Sequence, residues 1–275
     1  MSKRPRTRHL SAPQQSIVLA VFAYLGLILV LPLGAMAVRA LADGPAILLA
    51  GLTQREALEG LLLTLLVAAI CVVANGIFGI AGALVLTRHR FLGRRVLDAL
   101  VDLPLAVSPV MTGLAFLLIF GRGGWLGSSL DLLGLKVTFA VPGLILATLF
   151  VTFPFTLREV AYVLEELGTD EDQAATTLGA SPWQTFWLVT LPNIRFGLGY
   201  GVVLTLARAL GEFGAVLVVG GAISGRTQTA TTFIYNALEE RQEPAAYSMA
   251  LVLAVISVAL LVAIEWLKRR RGREQ

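Results

Sequence analysis

Two ionisable side chains, Arg208 and Glu212, interrupt the otherwise uncharged run 196–223. In a helix their four-residue spacing places them one turn apart on the same face. A charge near the centre of a bilayer costs about 2.5–3.5 kcal/mol on insertion scales, so both are expected to face protein or a watery cavity. Two roles are open to the pair. They can neutralise each other and fix helix packing, or Arg208 can line the route of an oxyanion while Glu212 restrains it, since the planar guanidinium fork matches oxyanion geometry.

Other catalytic chemistry is missing. The chain has no G-x-x-x-x-G-K-[ST] loop to cradle nucleotide phosphates and no G-x-S-x-G or H-E-x-x-H motif. Its two histidines, His9 and His89, lie beside basic terminal or loop residues, and Cys71 is its single cysteine. No catalytic, cofactor-binding or metal-ligating residue is therefore assigned, and redox or disulfide chemistry is not expected.

The elements that must position these residues are apolar. Of the 275 residues, 56% are hydrophobic and 15% charged, and the mean hydropathy is +0.79, a balance suited to lipid rather than water. Uncharged stretches at 10–38, 60–87, 103–121, 137–157 and 244–264 are each long enough to cross ~30 Å of hydrocarbon as a helix. The run 196–223 makes a sixth span. Fifteen of the 22 Lys and Arg residues fall on one side of this arrangement and six on the other, which puts both termini in the cytoplasm. Basic residues beside span ends suit anionic headgroups, so the pI of about 9.6 points to the bilayer and not to nucleic acid. The first span is expected to be an uncleaved helix, although "GAMAVRALA" faintly resembles a signal-peptide cleavage region.

The expected organisation is a basic N-terminal segment, 1–15, one six-helix domain, 16–267, and a basic tail, 268–275. Pro104, Pro109, Pro142 and Pro154 are expected to bend or break their spans. Gly197 and Gly201 have the spacing that lets two membrane helices approach closely.

The largest inside loop, 158–195, is acidic on an otherwise basic face. Thr169 is a candidate N-cap with Asp172 in the acidic capping-box position, and the helix that follows should run to about Leu178. Gly179 suits a left-handed terminus, and Ser181-Pro182 can start a second short helix, which Leu191-Pro192 is expected to end. Trp183, Phe186 and Trp187 would lie at the membrane surface, while the small pair Ala174-Ala175 beside a glycine turn suits close docking of another protein.

Asp172, Gln173, Ala174-Ala175, Gly179, and Leu191-Pro192 after Val189 together form a spacing that resembles the cytoplasmic loop signature of permeases in ATP-binding-cassette (ABC) importers. One departure is Gln173, where that family usually has Glu. "DLPLAVSPV" (102–110), "FAVPGLILATLFVTFPF" (139–155) and "ARALGEFGAVLVVGGAISGRTQT" (207–229) resemble permeases for sulfate and thiosulfate, with molybdate and tungstate permeases the nearest alternative. The resemblance implies an all-α integral membrane protein of the type I importer permease fold, whose short cytoplasmic coupling helix docks into a separate ATPase. It also implies a related permease partner in a heterodimer, an ABC ATPase dimer carrying ATP and Mg, an extracytoplasmic sulfate-binding protein, and a bacterial inner membrane location. The function implied is translocation by alternating access. An ion-driven secondary transporter and a structural membrane protein are the readings from other classes.

Overall fold

The computed structural model describes residues 12–42 and 44–274, and among these no strand occurs. The basic residues Lys3, Arg4, Arg6 and Arg8 of the expected N-terminal segment lie outside the described residues. The chain opens with α1 (Ala12–Leu25), a π-helical turn (Gly26–Val30) and α2 (Leu31–Ala42), then α3 (Pro45–Thr53) and the long α4 (Arg55–Arg88). Three short helices follow, α5 (Arg94–Val101), α6 (Leu103–Ala106) and α7 (Pro109–Phe120), then α8 (Gly127–Leu132) and α9 (Val141–Leu167). The loop helices α10 (Asp170–Thr177) and α11 (Pro182–Thr185) lead through a second π-helical turn (Phe186–Thr190) into α12 (Leu191–Leu210). The last elements are α13 (Gly214–Gly220), α14 (Ala230–Glu239) and α15 (Glu243–Glu274).

Among the described residues, five helical stretches are long and apolar enough to cross a membrane: Gln14–Ala42, Arg55–Arg88, Val141–Leu167, Pro182–Leu210 and Glu243–Trp266. The expected third span differs from the rest. It is divided into α6 and α7 because Pro104 and Pro109 each sit in a first helical turn, where a proline starts a helix more readily than it continues one. The 12 residues of α7 cover roughly 18 Å. The expected run 196–223 also breaks: α12 stops at Leu210, and α13 begins anew at Gly214. Pro154, by contrast, lies inside an unbroken α9. The basic residues expected as a separate tail continue α15 as far as Glu274.

The centre of the molecule is a bundle of α4, α9 and α12. Lipid tails are as apolar as leucine, so small residues and interhelical hydrogen bonds hold such helices together. Gly201 is required by close approach: a Cβ there would lie 2.8 Å from the Thr156 Cα. A Cβ on Gly197 would meet the Val163 Cγ2 at 2.5 Å, so the close approach expected from the glycine spacing occurs, and its partner is α9. A threonine row on α9 supplies the polar contacts. The Asn75 Nδ2 donates to the Thr152 Oγ1 at 2.7 Å, and Thr156 and Thr205 share a hydroxyl bond of 2.8 Å. Each such bond contributes about 0.6 kcal/mol, so together they select a register more than they supply stability.

The rest of the chain packs around this bundle. At one end, α5 is held against α9 while Leu86, Val101, Leu157, Leu164 and Ile194 form an apolar cluster. Val67, Leu144, Val216 and Val219 form another, where α13 packs on α7 and α9. The segment between α2 and α4 carries α3, which packs on α15 with Gly51 against Ala245 and Ser248.

Candidate functional site

The acidic loop forms the site at the Leu167 end of α9. Its sharp turn is a Schellman motif: the Gly179 N–H donates to the Thr176 C=O at 3.0 Å and the Ala180 N–H to the Ala175 C=O at 3.1 Å. Gly179 has φ +87°, the left-handed conformation that sequence reasoning assigned to it. Two residues later Ser181 opens the next helix through a reciprocal capping box with Gln184, with bonds of 2.8 and 3.3 Å.

Two local expectations need correction. Thr169 occupies the N-cap position of α10 but makes no capping bond to the backbone; its hydroxyl accepts from the Gln173 Nε2 at 2.8 Å. Asp172 is drawn instead into longer-range contacts. The second correction is at Leu191-Pro192, where the helix does not end. The π-helical turn lets the Leu191 N–H reach the Phe186 C=O, and the helix passes through Pro192 to Leu210. That widened turn absorbs the donor missing at Pro192, so the second loop helix and the long helix are continuous, Pro182–Leu210.

The first turn of α10 is clasped to the bundle. The Asp172 carboxylate lies 3.0 Å from the Arg88 Nη2 at the end of α4, and accepts from the Thr190 Oγ1 at 3.1 Å. Glu171 accepts from the Asn193 Nδ2. The space among Arg88, Leu164, Glu171, Asp172, Thr190 and Asn193 is only about 10 Å³, scarcely one water, so this is a packed joint and not a ligand pocket. The other side of α10 is bare: Gln173, Ala174, Thr177 and Leu178 are exposed, Leu178 at 88%, whereas Ala175 is half-buried. After the turn, Trp183, Phe186 and Trp187 form an aromatic group in edge-on and tilted contacts, with ring centroids 5.3–6.3 Å apart.

Sequence reasoning missed the clasp partners Arg88, Thr190 and Asn193. It also missed a second clasp at the same end, where Arg158 on α9 grips Asp102 through two parallel bonds of 2.7 and 2.8 Å and Asp98 through a third of 2.6 Å. The available signal was the pair Asp98 and Asp102, one helical turn apart in a segment whose other charges are basic.

Arg208 and Glu212 are brought together, but not on one helix face. Glu212 lies beyond the end of α12, in the break before α13, and is buried. Its Oε1 accepts the Ala215 N–H at 2.9 Å and thereby caps the start of α13, while its Oε2 lies 2.7 Å from the Arg208 Nη1. The Glu212 C=O accepts from the Thr231 hydroxyl at 2.7 Å. Glu212 thus ties three elements together, and the Arg208 side chain is 31% exposed in the single chain. Among the described residues no group of three His, Cys, Asp or Glu side chains could hold a metal ion.

Comparison with known proteins gives a consistent set of relatives. Residues 75–273 match the family described as binding-protein-dependent transport system inner membrane component. The chain is 47% identical to the sulfate transport system permease protein CysW of Synechococcus elongatus over 91% of its own length and 88% of the relative's. It is 43% identical to CysW of Escherichia coli K12, covering 90% of this chain and 87% of that one. Against the sulfate transport system permease protein CysT of Escherichia coli K12 the identity is 40%, with coverages of 90% and 89%. Its backbone is similar to a chain of a bacterial alginate ABC transporter crystallised with an alginate-bound periplasmic protein. That likeness has a TM-score of 0.76 at 17% identity and covers 93% of both chains, so it speaks for the fold.

Proposed function

The chain belongs to the family of binding-protein-dependent transport system inner membrane components, and from that premise we propose that it is the membrane-spanning permease subunit of an ATP-driven sulfate importer. The observation that carries the reading is the joint at Asp172. A helix with one face clasped to α4 and α12 and the other bare is built to pass an external push into the membrane bundle.

The cycle follows from that joint. A separate ATPase dimer, holding ATP and Mg, closes and opens against the bare face of α10. Because Asp172 ties α10 to Arg88 and Thr190, the displacement reaches two helices of the central bundle together. The bundle then exchanges inward-open and outward-open states, and this shift of population moves substrate without a covalent step. Gln173 bonds to Thr169 at the N-cap of its own helix, so a neutral side chain stands where the family usually has a glutamate.

Relatives of two kinds, CysW and CysT, support a paired permease core, with this chain as one half of a heterodimer. An extracytoplasmic sulfate-binding protein delivers the oxyanion, and the assembly lies in a bacterial inner membrane with both termini in the cytoplasm. Arg208 is the candidate cation along the route, with Glu212 holding it in place. Thiosulfate is expected to share this route, and competition for uptake by molybdate and tungstate tests the nearest alternative.

The decisive experiment is sulfate uptake into proteoliposomes with ATP hydrolysis measured in parallel. Gly179→Val forces a β-branched residue into the left-handed conformation, at a cost of about 1–2 kcal/mol or more. Gly179→Asn tolerates that conformation. The valine variant is expected to insert and hydrolyse ATP but import little, and the asparagine variant to import well. Equal uptake by both, or uptake by the lone chain driven by an ion gradient, refutes the proposal.

A further inference from the structure

At the end of the molecule opposite the acidic loop, Arg122, Lys136 and Arg226 line one cavity of about 380 Å³. The 27 residues of α9 separate the two ends by roughly 40 Å. The cavity is assembled from three segments: the end of α7 with its following turn (Phe120–Arg122), the stretch from α8 into α9 (Leu130, Asp131 and 135–139), and the loop after α13 (Ile223 and Arg226). Among the described residues none of the three cations is ion-paired, and Asp131 is the one carboxylate in the lining. Glu59, a carboxylate near the cavity loop but outside the lining, lies 3.6 Å from where a Gly225 Cβ would be and is already paired with Arg55 at 2.6 Å. The cavity therefore carries an excess of two positive charges.

Its walls are fixed. The Phe139 N–H donates to the Val219 C=O at 2.9 Å, and Gly221 leaves room for the Phe139 ring, which a Cβ would approach to 2.9 Å. The Thr227 hydroxyl donates to the Gly220 C=O at 2.6 Å and accepts from the Ile223 N–H at 3.1 Å, closing the loop that presents Arg226. Two residues that are not glycine hold the left-handed conformation here, Phe139 with φ +53° and Ala222 with φ +47°. Such strain persists only where surrounding contacts over-determine it, and it gathers at sites that must hold a set geometry. At ~30 Å³ per water, the volume holds about a dozen waters, enough for a tetrahedral oxyanion with part of its hydration shell.

We infer that this cavity is an oxyanion vestibule: a weak, hydrated site that collects the sulfate-class dianion at the outer mouth and passes it toward Arg208. The inference rests on the transport reading above. Its position suits the task, since α13 runs from Glu212 back to the cavity loop and its 7 residues cover roughly 10 Å. A concave patch of one sign, walled by apolar surface, raises the local concentration of the opposite charge and does so less at high salt. Guanidinium forks on two sides and the half-buried Thr138 hydroxyl provide donors for an oxyanion's several acceptor oxygens.

The test uses the complete assembly in proteoliposomes, with the partner subunits free of cysteine. Cys71 is buried, so a Thr138→Cys substitution gives this chain a single accessible thiol inside the cavity. Its labelling is followed with an anionic and a cationic methanethiosulfonate of similar size, without the delivering protein. The anionic reagent is expected to react several-fold faster, and sulfate to slow it several-fold relative to chloride at equal ionic strength. The preference shrinks between about 0.01 and 0.15 M salt, as the Debye length falls from ~30 to ~8 Å. Adding R122Q, K136Q and R226Q together removes both the preference and the protection. Equal rates for the two reagents overturn the vestibule. So does protection that appears only with the delivering protein, which makes the patch a docking surface. Sulfate uptake by the unmodified assembly is measured alongside: uptake without protection overturns the vestibule alone, whereas absent uptake overturns the substrate reading on which it rests.

Discussion

Cutting the tie between Asp172 and Arg88 is expected to uncouple ATP hydrolysis from import while leaving the bundle intact. The carboxylate and guanidinium are 3.0 Å apart with side-chain exposures of 26% and 17%, so water screens them only partly. At ~4 Å and an effective dielectric of 20 the bare attraction is about 4 kcal/mol. Desolvation offsets much of that, and hydrogen bonds to charged groups contribute about 1.5–3 kcal/mol net. A working value of about 2 kcal/mol corresponds to a roughly 30-fold loss in the population with α10 clasped. The Arg88 Nε is already buried without a partner, so Asp172→Asn leaves a guanidinium poorly compensated and is expected to be worse than the double variant R88Q/D172N. Sulfate accumulated per ATP hydrolysed, measured for the wild type, both single variants and the double, gives the coupling energy of the pair. An interaction of about 1–2 kcal/mol supports a shared joint. Single effects that simply multiply, or an unchanged transport ratio in D172N, refute it.

The glycine crossing makes a paired prediction: Gly201→Ala brings a Cβ to 2.8 Å from the main chain at Thr156, and Gly197→Ala brings one to 2.5 Å from the Cγ2 of Val163, a buried β-branched side chain with little freedom to move. Each is expected to destabilise the subunit in detergent by about 1–3 kcal/mol, and wild-type thermal unfolding of either variant would contradict the packing account. Arg158→Lys keeps the charge but not the fork that holds Asp98 and Asp102, so α5 is expected to loosen and become accessible to limited proteolysis; wild-type resistance counts against the clasp. Glu212→Gln retains an acceptor for the Ala215 N–H, while Glu212→Ala removes both the cap and the partner of Arg208. The alanine variant is expected to lose about 2 kcal/mol more than the glutamine variant, and equal melting temperatures would show that the cap contributes nothing.

What the sequence discloses here depends on how far each contact reaches along the chain. The left-handed terminus at Gly179 and the N-cap at Ser181 close through hydrogen bonds spanning five residues or fewer, and both were legible, although the reciprocal partner Gln184 was not and the equally local cap at Thr169 gave way to longer-range contacts of Asp172. The glycine crossing was legible as a spacing, although its partner helix was not. The break after Ala106 was legible from Pro104 and Pro109, whereas the one after Leu210 was hidden because hydropathy sees a continuous apolar run and that boundary depends on Glu212 starting α13. Leu191-Pro192 misled because a one-residue widening of the preceding turn removes the steric reason for a proline stop. The clasps were out of reach of local reasoning: Arg88 and Asp172 are 84 residues apart, and Arg158 lies 56 from Asp102.

The two alanines of the loop signature show why this distinction matters for function. In a helix, neighbours in sequence point about 100° apart, and here Ala174 and Ala175 sit on either side of a boundary, the first exposed and the second half-buried. Asp172 and Ala175, three apart, are the partly covered side of α10, and Ala175 also supplies the carbonyl that the Ala180 N–H needs to close the turn. Gln173, Ala174, Thr177 and Leu178 are the open side. On the docking proposed above, small residues at the two positions serve different ends: at 175 the close packing of the half-buried side of α10 on its own subunit, and at 174 the approach of the proposed partner to the helix axis. A larger side chain at 174 would obstruct docking without disturbing the fold, and one at 175 would disturb the joint before any partner arrived.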